Sequence, residues 1–557
     1  MNDEAIKKVL FFGANSSYSH SMLSYAYIRS FSEQFLSNWD WQYLETVTVA
    51  DPAETAVEIN AARPDAIIAT AYLFNIEFLF KTLCRVKALS PCTPVILGGP
   101  EFLGDNAAFL QKHPEIDVVV RGDESSVYLV LENISDRSAW GDIPGLCMHH
   151  DGEYIDNAVA CFSGEFDDMP SPYRDDLLPK GKSFVQLETS RGCSGGCTFC
   201  AGPMAFKTTH HSVERVREDL ANIENAGIKE VRVLDRTFNG NTTRFAQLLE
   251  LFKKEFAGIN FHLEINPARL DVKQIEILKS MPTGLLHIEA GIQSLDDRVL
   301  HAVRRPATSS TTLKGLEALC GMDHFELHTD LIAGLPMQTL ESVLQDVTKL
   351  VEIGPDEIQL EILKMLPGTP LRNDPPHGLL YSPDTPYEVL ETGDMSAEEI
   401  IRARHISVIL ESYYNAPVLR PVFRFATLRD PEFPRKFLAV AEKLFSNSAA
   451  RPSMGARFDL LEQYADGDPR LLDLIKFAHL AAADSPSKYN LKLHKSTPEM
   501  FNYTKSPSEM PKRYCETEFS WNVDEVYADP HCEVREGIRR IRFFRYQSGH
   551  PGGCKIV

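Results

Sequence analysis

The sequence is short of positive charge. Its 57 lysines and arginines face 78 aspartates and glutamates, a formal charge of −21 over 557 residues. Such a surface repels phosphate backbones and anionic lipid heads, so no nucleic-acid partner is expected. No apolar run approaches the roughly 18 residues that a membrane span needs, and the opening MNDEAIKK has acidic residues and no apolar leader core. The expectation is therefore a cytoplasmic chain with no membrane partner. An odd count of 11 cysteines argues against a disulfide framework in a reducing compartment and leaves thiols available as ligands. Hydrophobic residues at 43% and charged residues at 24% are ordinary globular values that exclude a collagen-like or disordered reading. The length exceeds one core and implies roughly three domains.

Against this background one loop is crowded. LETSRGCSGGCTFCAGP, running from Leu187 to Pro203, holds Cys193, Cys197 and Cys200 among glycines and serines. It follows SFVQLE, a β-prone run, and precedes the helical pattern VERVREDLANIENAG, so the cysteines sit at a strand's C-terminal end. Three thiolates converging from one short loop suit an iron–sulfur cluster, because glycines let the backbone curl around it. Zinc would require a fourth close ligand, and His210 and His211 lie outside common zinc spacings. A purely structural role for the thiols is weaker, since exposed thiols oxidise readily.

RGCSGGCTFC resembles the cluster loop of the radical S-adenosylmethionine (SAM) superfamily, which implies a 4Fe–4S cluster held by Cys193, Cys197 and Cys200, with SAM on the open iron. Further landmarks follow in order: VRVLDRTFNGN, FHLEINP, HIEAGIQSLDDRVLHAVRR, LHTDLIAGLPMQTLES and IQLEILKMLPGTPL. Each is an apolar strand, a polar turn and then mostly a helix, the grammar of a parallel βα barrel. The resemblance implies a partial (β/α)6 barrel from residue 183, with its site at the strands' C-terminal ends. It further implies SAM contacts from Asp235 and Asn239 after the second strand, although the superfamily's Gly-Gly-Glu is absent. Glu264, Gln293 and Ser294 close the third and fourth strands as contacts to ribose and carboxylate, and Leu366, Pro367 and Gly368 lie along the adenine.

Residues 7–134 alternate on their own. KKVLFFGAN, WQYLETVTV, DAIIATAYLF, TPVILGGPEF and IDVVVRGDE are five short apolar strands separated by helical patterns, which defines a doubly wound, Rossmann-like α/β domain. Ligands of such sheets lie at the strands' carboxyl ends, where Gly98 and Gly99 allow close backbone approach. No GxGxxG follows the first strand, which removes the main support for a nicotinamide cofactor. Beside a radical SAM barrel, this domain resembles the cobalamin-binding domain of the cobalamin-dependent radical SAM enzymes, with VVVRGDES and DMPSPYRDDL as the similar segments. The resemblance implies cobalamin contacts from Ser16, Ser17, Tyr72, Asn75, Gly98, Gly99, Pro100 and Glu101. The Asp-x-His-x-x-Gly cobalt ligand is missing, and His20 lies in its loop without the Asp or Gly.

After LRNDPPHGLLYSPDTPYEVL the chain becomes mostly helical from SAEE, a capping box, onward. This part resembles a bacterial subfamily with a C-terminal domain of unknown function. The tail RRIRFFRYQSGHPGGCKIV reads as an edge strand and frayed terminus, with Cys554 among glycines. The expected domains are 1–140, cobalamin-binding; 141–182, linker; 183–390, barrel; and 391–557, mostly α-helical. The expected function is radical C-methylation of a small metabolite or peptide, with a flavodoxin or ferredoxin as electron donor. The alternatives are cobalamin-dependent rearrangement or cyclisation, a radical SAM oxidoreductase that does not use cobalamin, and a non-catalytic sensor.

Overall fold

A computed structural model describes residues 6–159, 162–202, 208–445, 452–465, 467–482, 486–495, 513–545 and 554–556. The chain forms two compact units. The first comprises Met1–Leu327, Gly334–Gln338 and Ile362–Ala397; the second comprises His328–Ala333, Thr339–Glu361 and Glu398–Val557.

The first unit opens with strands β1 (Lys7–Asn15), β2 (Trp39–Val47), β3 (Ala66–Thr70), β4 (Val95–Gly98) and β5 (Val118–Val120). They alternate with helices α1 (Leu23–Ser32), α2 (Pro52–Ala61), α3 (Ile76–Leu89), α4 (Ala107–Lys112) and α5 (Val127–Glu132). The strands are parallel in the order β2-β1-β3-β4-β5, a doubly wound sheet. The continuous apolar run of β1 is explained by burial on both faces. Val9 and Phe11 pack into one core with Ile68 and Ile96, whereas Leu10 and Phe12 pack into the opposite core with Ile67 and Leu97.

The sheet does not stop at residue 140. Strands β6 (Leu146–His150) and β7 (Glu153–Asp156) add an antiparallel hairpin to β5 inside the expected linker. Its turn is Asp151-Gly152, with φ of 50° and 85°, the Asp-Gly pair that a two-residue hairpin requires.

Next come β8 (Val185–Leu187), the short pair β9 (Ser190–Arg191) and β10 (Thr209–His210), α6 (Val213–Asn225), β11 (Glu230–Val233), α7 (Thr242–Glu255), β12 (Asn260–Ile265), α8 (Val272–Lys279) and β13 (Leu286–Gln293). Strands β8, β11, β12 and β13 pair in parallel in that order. Along β13 every second residue is buried, and the half-buried ones, His287, Glu289, Gly291 and Gln293, share the other face. After α9 (Asp297–Ala302) and α10 (Ser309–Cys320), β14 (Glu326–Ala333), α11 (Leu340–Ile353) and β15 (Glu357–Ile362) bring the strand–helix succession to the six strands expected. Helix α12 (Pro370–Asn373) and the hairpin β16 (Leu380–Tyr381) and β17 (Val389–Glu391) complete the first unit.

The second unit carries helices α13 (Ala397–Ile409), α14 (Arg420–Arg429), α15 (Phe433–Phe445), α16 (Met454–Tyr464) and α17 (Pro469–Ala481). It is not helical throughout. Strands β18 (His494–Lys495), β19 (Arg513–Trp521), β20 (Glu536–Arg545) and β21 (Cys554–Ile556) form an antiparallel sheet, with α18 (Val523–Ala528) between β19 and β20. Cys515, Phe519 and Trp521 alternate into the core, a period of two that overrides the helical character of the preceding segment. The alternating RRIRFFR of the tail, expected at an edge, lies in β20 between β19 and β21, and β21 takes the edge instead; residues 546–553 and the Cys554 side chain lie outside the described residues.

Candidate active site

The cysteine loop begins where β8 ends, and its base is tied down from several sides. Asp235 Oδ1 accepts from the Thr189 and Ser190 amides, each at 2.9 Å, and Oδ2 accepts from Thr189 Oγ1 at 2.6 Å. Arg244 donates to the carbonyls of Thr189 at 2.9 Å and His211 at 2.7 Å. The β9–β10 pairing of Arg191 with Thr209 and Ser190 with His210 closes the loop. At the far side the Thr198 amide donates to Val303 O, and its carbonyl accepts from the Leu371 amide, both at 3.0 Å. The segments after β13 and β15 thus hold the turn between Cys197 and Cys200.

The sulfurs sit among donors. The Gly195 amide lies 3.3 Å from Cys193 Sγ, the Gly202 amide 3.3 Å from Cys200 Sγ, and Arg305 Nη1 3.9 Å from Cys197 Sγ. A Cβ on Gly195 would stand 3.3 Å from Cys193 Sγ, a tight contact that glycine avoids. Burial raises the Cys197 thiol pKa, and the Arg305 guanidinium opposes that shift. Soft thiols from one loop, with backbone N–H groups and a cation directed at them, fit an iron–sulfur cluster and not a hard cation.

The other expected contacts divide. Glu264 and Gln293 stand half-buried at strand ends. Burial raises the Glu264 carboxyl pKa, and Arg236, 3.7 Å away, lowers it. Gln293 has a left-handed φ of 72°. Leu366 and Pro367 are half-buried, and Gly368 packs on Leu103 of the α/β domain.

Other residues expected as contacts are engaged within the protein. Asp235 holds up the cluster loop. Asn239 bridges both backbone groups of Asn266: its Nδ2 donates to the carbonyl at 2.9 Å, and its Oδ1 accepts from the amide at 3.0 Å. Ser294 is fully buried and accepts from the Asp296 amide at 3.1 Å. Asn75 is equally buried; its side chain joins Tyr72 N, Ala14 O and Thr70 O, tying the ends of β1 and β3. Glu101 is engaged by Tyr387 OH at 3.0 Å. Ser16 is exposed, and Ser17 Oγ lies 2.9 Å from Nδ1 of His20, whose ring meets Phe184 edge-on.

Tyr72, Gly98, Gly99 and Pro100 do line a cavity of about 320 Å³ in the first unit. Its lining combines an apolar set, Ile28, Ile68, Ile96, Val120 and Val127, with residues of and around the cysteine loop, Glu188, Arg191, Gly202 and Arg236. Gly99 has φ of 109°, and a Cβ there would lie 2.4 Å from Ala71 O.

A polar hub missed in the sequence joins the loop after β5 to the cysteine loop. Arg191 donates to both oxygens of Glu188 at 2.9 and 2.7 Å, and to Glu124 Oε2 at 2.9 Å. Its guanidinium also lies 5.3 Å from the rings of Tyr27 and Phe166. Burial raises the Glu124 carboxyl pKa, with Arg191 opposing. The only sequence signal was proximity: Arg191 stands two residues before Cys193, and Glu124 lies in RGDES.

With this geometry in view, residues 187–350 match the Radical SAM superfamily and residues 376–512 match a protein family of unknown function, DUF4080. Residues 187–350 are thus a radical SAM domain, which implies a 4Fe–4S cluster and SAM. The chain is similar to the cobalamin-dependent radical SAM methyltransferase TokK of Streptomyces tokunonensis, 25% identical over 427 residues, covering 70% of this chain and 62% of that protein. This chain therefore spans less than two thirds of that relative's length. Among solved structures, the radical SAM methyltransferase TsrM from Kitasatospora setae, with cobalamin and a [4Fe–4S] cluster bound, aligns at a TM-score of 0.55. It is 15% identical over 71% of this chain and 81% of TsrM. The cobalamin-dependent SAM radical enzyme OxsB aligns at 0.59, 13% identical over 87% of this chain and 74% of OxsB. These two likenesses show a shared fold.

Proposed function

We propose that the chain is a cobalamin-dependent radical SAM methyltransferase that methylates an unactivated carbon of a small metabolite or peptide. The cavity carries this reading, since it runs from the cluster loop to the carboxyl ends of the doubly wound sheet, the places where the two fold types bind ligands. When bound, the cluster with SAM supplies a 5′-deoxyadenosyl radical, and methylcobalamin supplies a transferable methyl group.

This chain's residues have separable tasks. Cys193, Cys197 and Cys200 hold the cluster, with Arg305 and the glycine amides offsetting thiolate charge. Glu264, Gln293 and Leu366–Gly368 serve SAM. Gly98 and Gly99 wall the cavity in a turn that only glycine can hold at position 99, and the apolar crevice suits cobalamin's flat benzimidazole tail. The described lining of the cavity holds no histidine, and His20 lies outside it, which supports a cobalamin held without a strong imidazole ligand. A flavodoxin or ferredoxin supplies the electron, and the setting is the cytoplasm.

The test is anaerobic purification with iron and cobalt analysis, followed by mass spectrometry of products made with methyl-labelled SAM. The expected result is one cobalamin and one 4Fe–4S cluster per chain, with label in the product. Replacing Cys193, Cys197 and Cys200 together by alanine should abolish both cluster absorption and deoxyadenosine formation. Deoxyadenosine from that variant, or a wild-type chain that takes up no cobalamin, would overturn the reading.

A further inference from the structure

The DUF4080 match, residues 376–512, does not coincide with one compact unit. Its first part, 376–397, belongs to the unit that holds the cysteine loop and the cavity, and the remainder belongs to the other unit. That first part is the β16–β17 hairpin with its connections. It is joined to the segment after β15: the Met365 amide donates to Tyr387 O, and the Val389 amide donates to Leu363 O, both at 2.9 Å.

The tip of the hairpin reaches the α/β domain. Tyr387 OH donates to Glu101 Oε2 at 3.0 Å across 286 positions of sequence, and Thr385 Oγ1 donates to Glu77 Oε1 at 2.9 Å. The two contacts differ in weight. Glu77 is exposed and its bond competes with water, whereas Glu101 is 7% exposed and its carboxylate needs a donor. Tyr387 is itself held: its φ is 60°, and the Arg372 guanidinium lies 4.4 Å from its ring while donating to Met365 O at 2.7 Å. Close by, a Cβ on Gly368 would stand 2.8 Å from the Leu103 carbonyl carbon, so the barrel's last turn and the Glu101 turn touch backbone to backbone.

Glu101 directly follows Gly98, Gly99 and Pro100, which wall the cavity. We infer that residues 376–397, the start of the region of unknown function, form a clasp in which Tyr387 is a positioning residue. By holding Glu101 it fixes the Gly98–Pro100 turn against the barrel. The consequence for cobalamin rests on the function proposed above; the mechanical coupling does not.

Hydrogen–deuterium exchange on the full chain, with and without hydroxocobalamin, tests both parts. In Tyr387→Phe, amides of residues 95–104 should exchange roughly tenfold faster in the cofactor-free chain, and hydroxocobalamin should bind roughly tenfold more weakly with iron content unchanged. Glu101→Gln keeps an acceptor for the hydroxyl and should stay near wild type. Glu101→Leu should match Tyr387→Phe, and the double variant Tyr387→Phe with Glu101→Leu should be no worse than either single one. Tyr381→Phe, beside Arg372 but not bonded to Glu101, serves as the control and should change neither reading. Unaltered exchange over 95–104 in Tyr387→Phe, or additive effects in the double variant, would overturn the clasp. A wild-type chain that takes up no cobalamin would sink the proposed function instead, while the cofactor-free exchange still decides the coupling.

Discussion

Arg191 Nη1 stands 2.9 Å from Glu124 Oε2, and this one guanidinium joins the loop after β5 to the start of the cysteine loop. Its other edge grips Glu188 in a two-point contact. The side chains are only 12%, 17% and 13% exposed for Arg191, Glu124 and Glu188, so water does little to stabilise any of them alone.

Removing the cation should therefore leave two buried carboxylates facing each other. Arg191→Ala is expected to destabilise the cofactor-free chain by about 3–5 kcal/mol in urea unfolding. Arg191→Lys should recover part of this, because a point charge cannot bond both carboxylates at the fork's geometry. A loss in Arg191→Ala below about 1 kcal/mol would show that the contact is solvated like a surface pair.

Asp235 separates two roles that sequence alone merges. As a SAM contact its loss would weaken SAM binding and leave iron content intact. As the acceptor for Thr189 and Ser190 its loss should release the loop that carries the cysteines. Asp235→Ala should therefore lower cluster content severalfold under anaerobic reconstitution, before any SAM is added. Full iron content with only a raised SAM requirement would restore the first role.

The contrast shows what the sequence could and could not reveal. β1 was legible because Val9 to Phe12 are apolar without a break, which marks a strand buried on both faces. The cysteine loop was legible because spacing and glycines are local. The hairpin at Asp151-Gly152 carried a plain turn signal, but its strands fell where a linker was expected. Asp235, Asn239 and Asn75 were legible as polar residues at strand ends, but the backbone groups they bond were not. A polar side chain bonds whichever backbone groups the fold leaves unpaired, and those are fixed only when distant segments meet. Arg191 and Glu124, 67 positions apart, illustrate the same limit.

Acid should loosen the base of the cysteine loop through His211. This ring is 1% exposed, stacks on Phe166 at 3.9 Å, and has its pKa lowered to about 4, chiefly by burial with Arg215 adding to it. A histidine with a depressed folded-state pKa binds its proton more readily when unfolded. The stabilisation is thus complete above about pH 6.5 and is lost as pH falls toward about 4. The shift corresponds to roughly 3 kcal/mol. His211→Phe, which keeps a ring against Phe166, should flatten the dependence of the unfolding midpoint between those pH values. An equally steep profile in the variant would assign the acid sensitivity to other groups.

Gly99 tests whether the cavity belongs to cobalamin. Its φ of 109° is disfavoured for any side chain, and a Cβ would lie 2.4 Å from Ala71 O and 2.9 Å from Thr70 Cγ2, so substitution must displace the turn that walls the cavity. None of the cysteine loop's supports, Asp235, Arg244, Val303 and Leu371, touches this turn through the contacts described. Gly99→Val should consequently lower bound cobalt by tenfold or more, by the logic that a displaced wall excludes a snugly held ring, while iron content stays at the wild-type level. SAM cleavage should continue, with deoxyadenosine formed but no label in the product. Gly98→Ala is the milder partner, because its Cβ would meet only Val120 O at 3.3 Å, and it should retain most of the cobalt. Equal loss of iron and cobalt in Gly99→Val would mean that the whole unit had misfolded. Full cobalt content would move the cobalamin site away from this sheet.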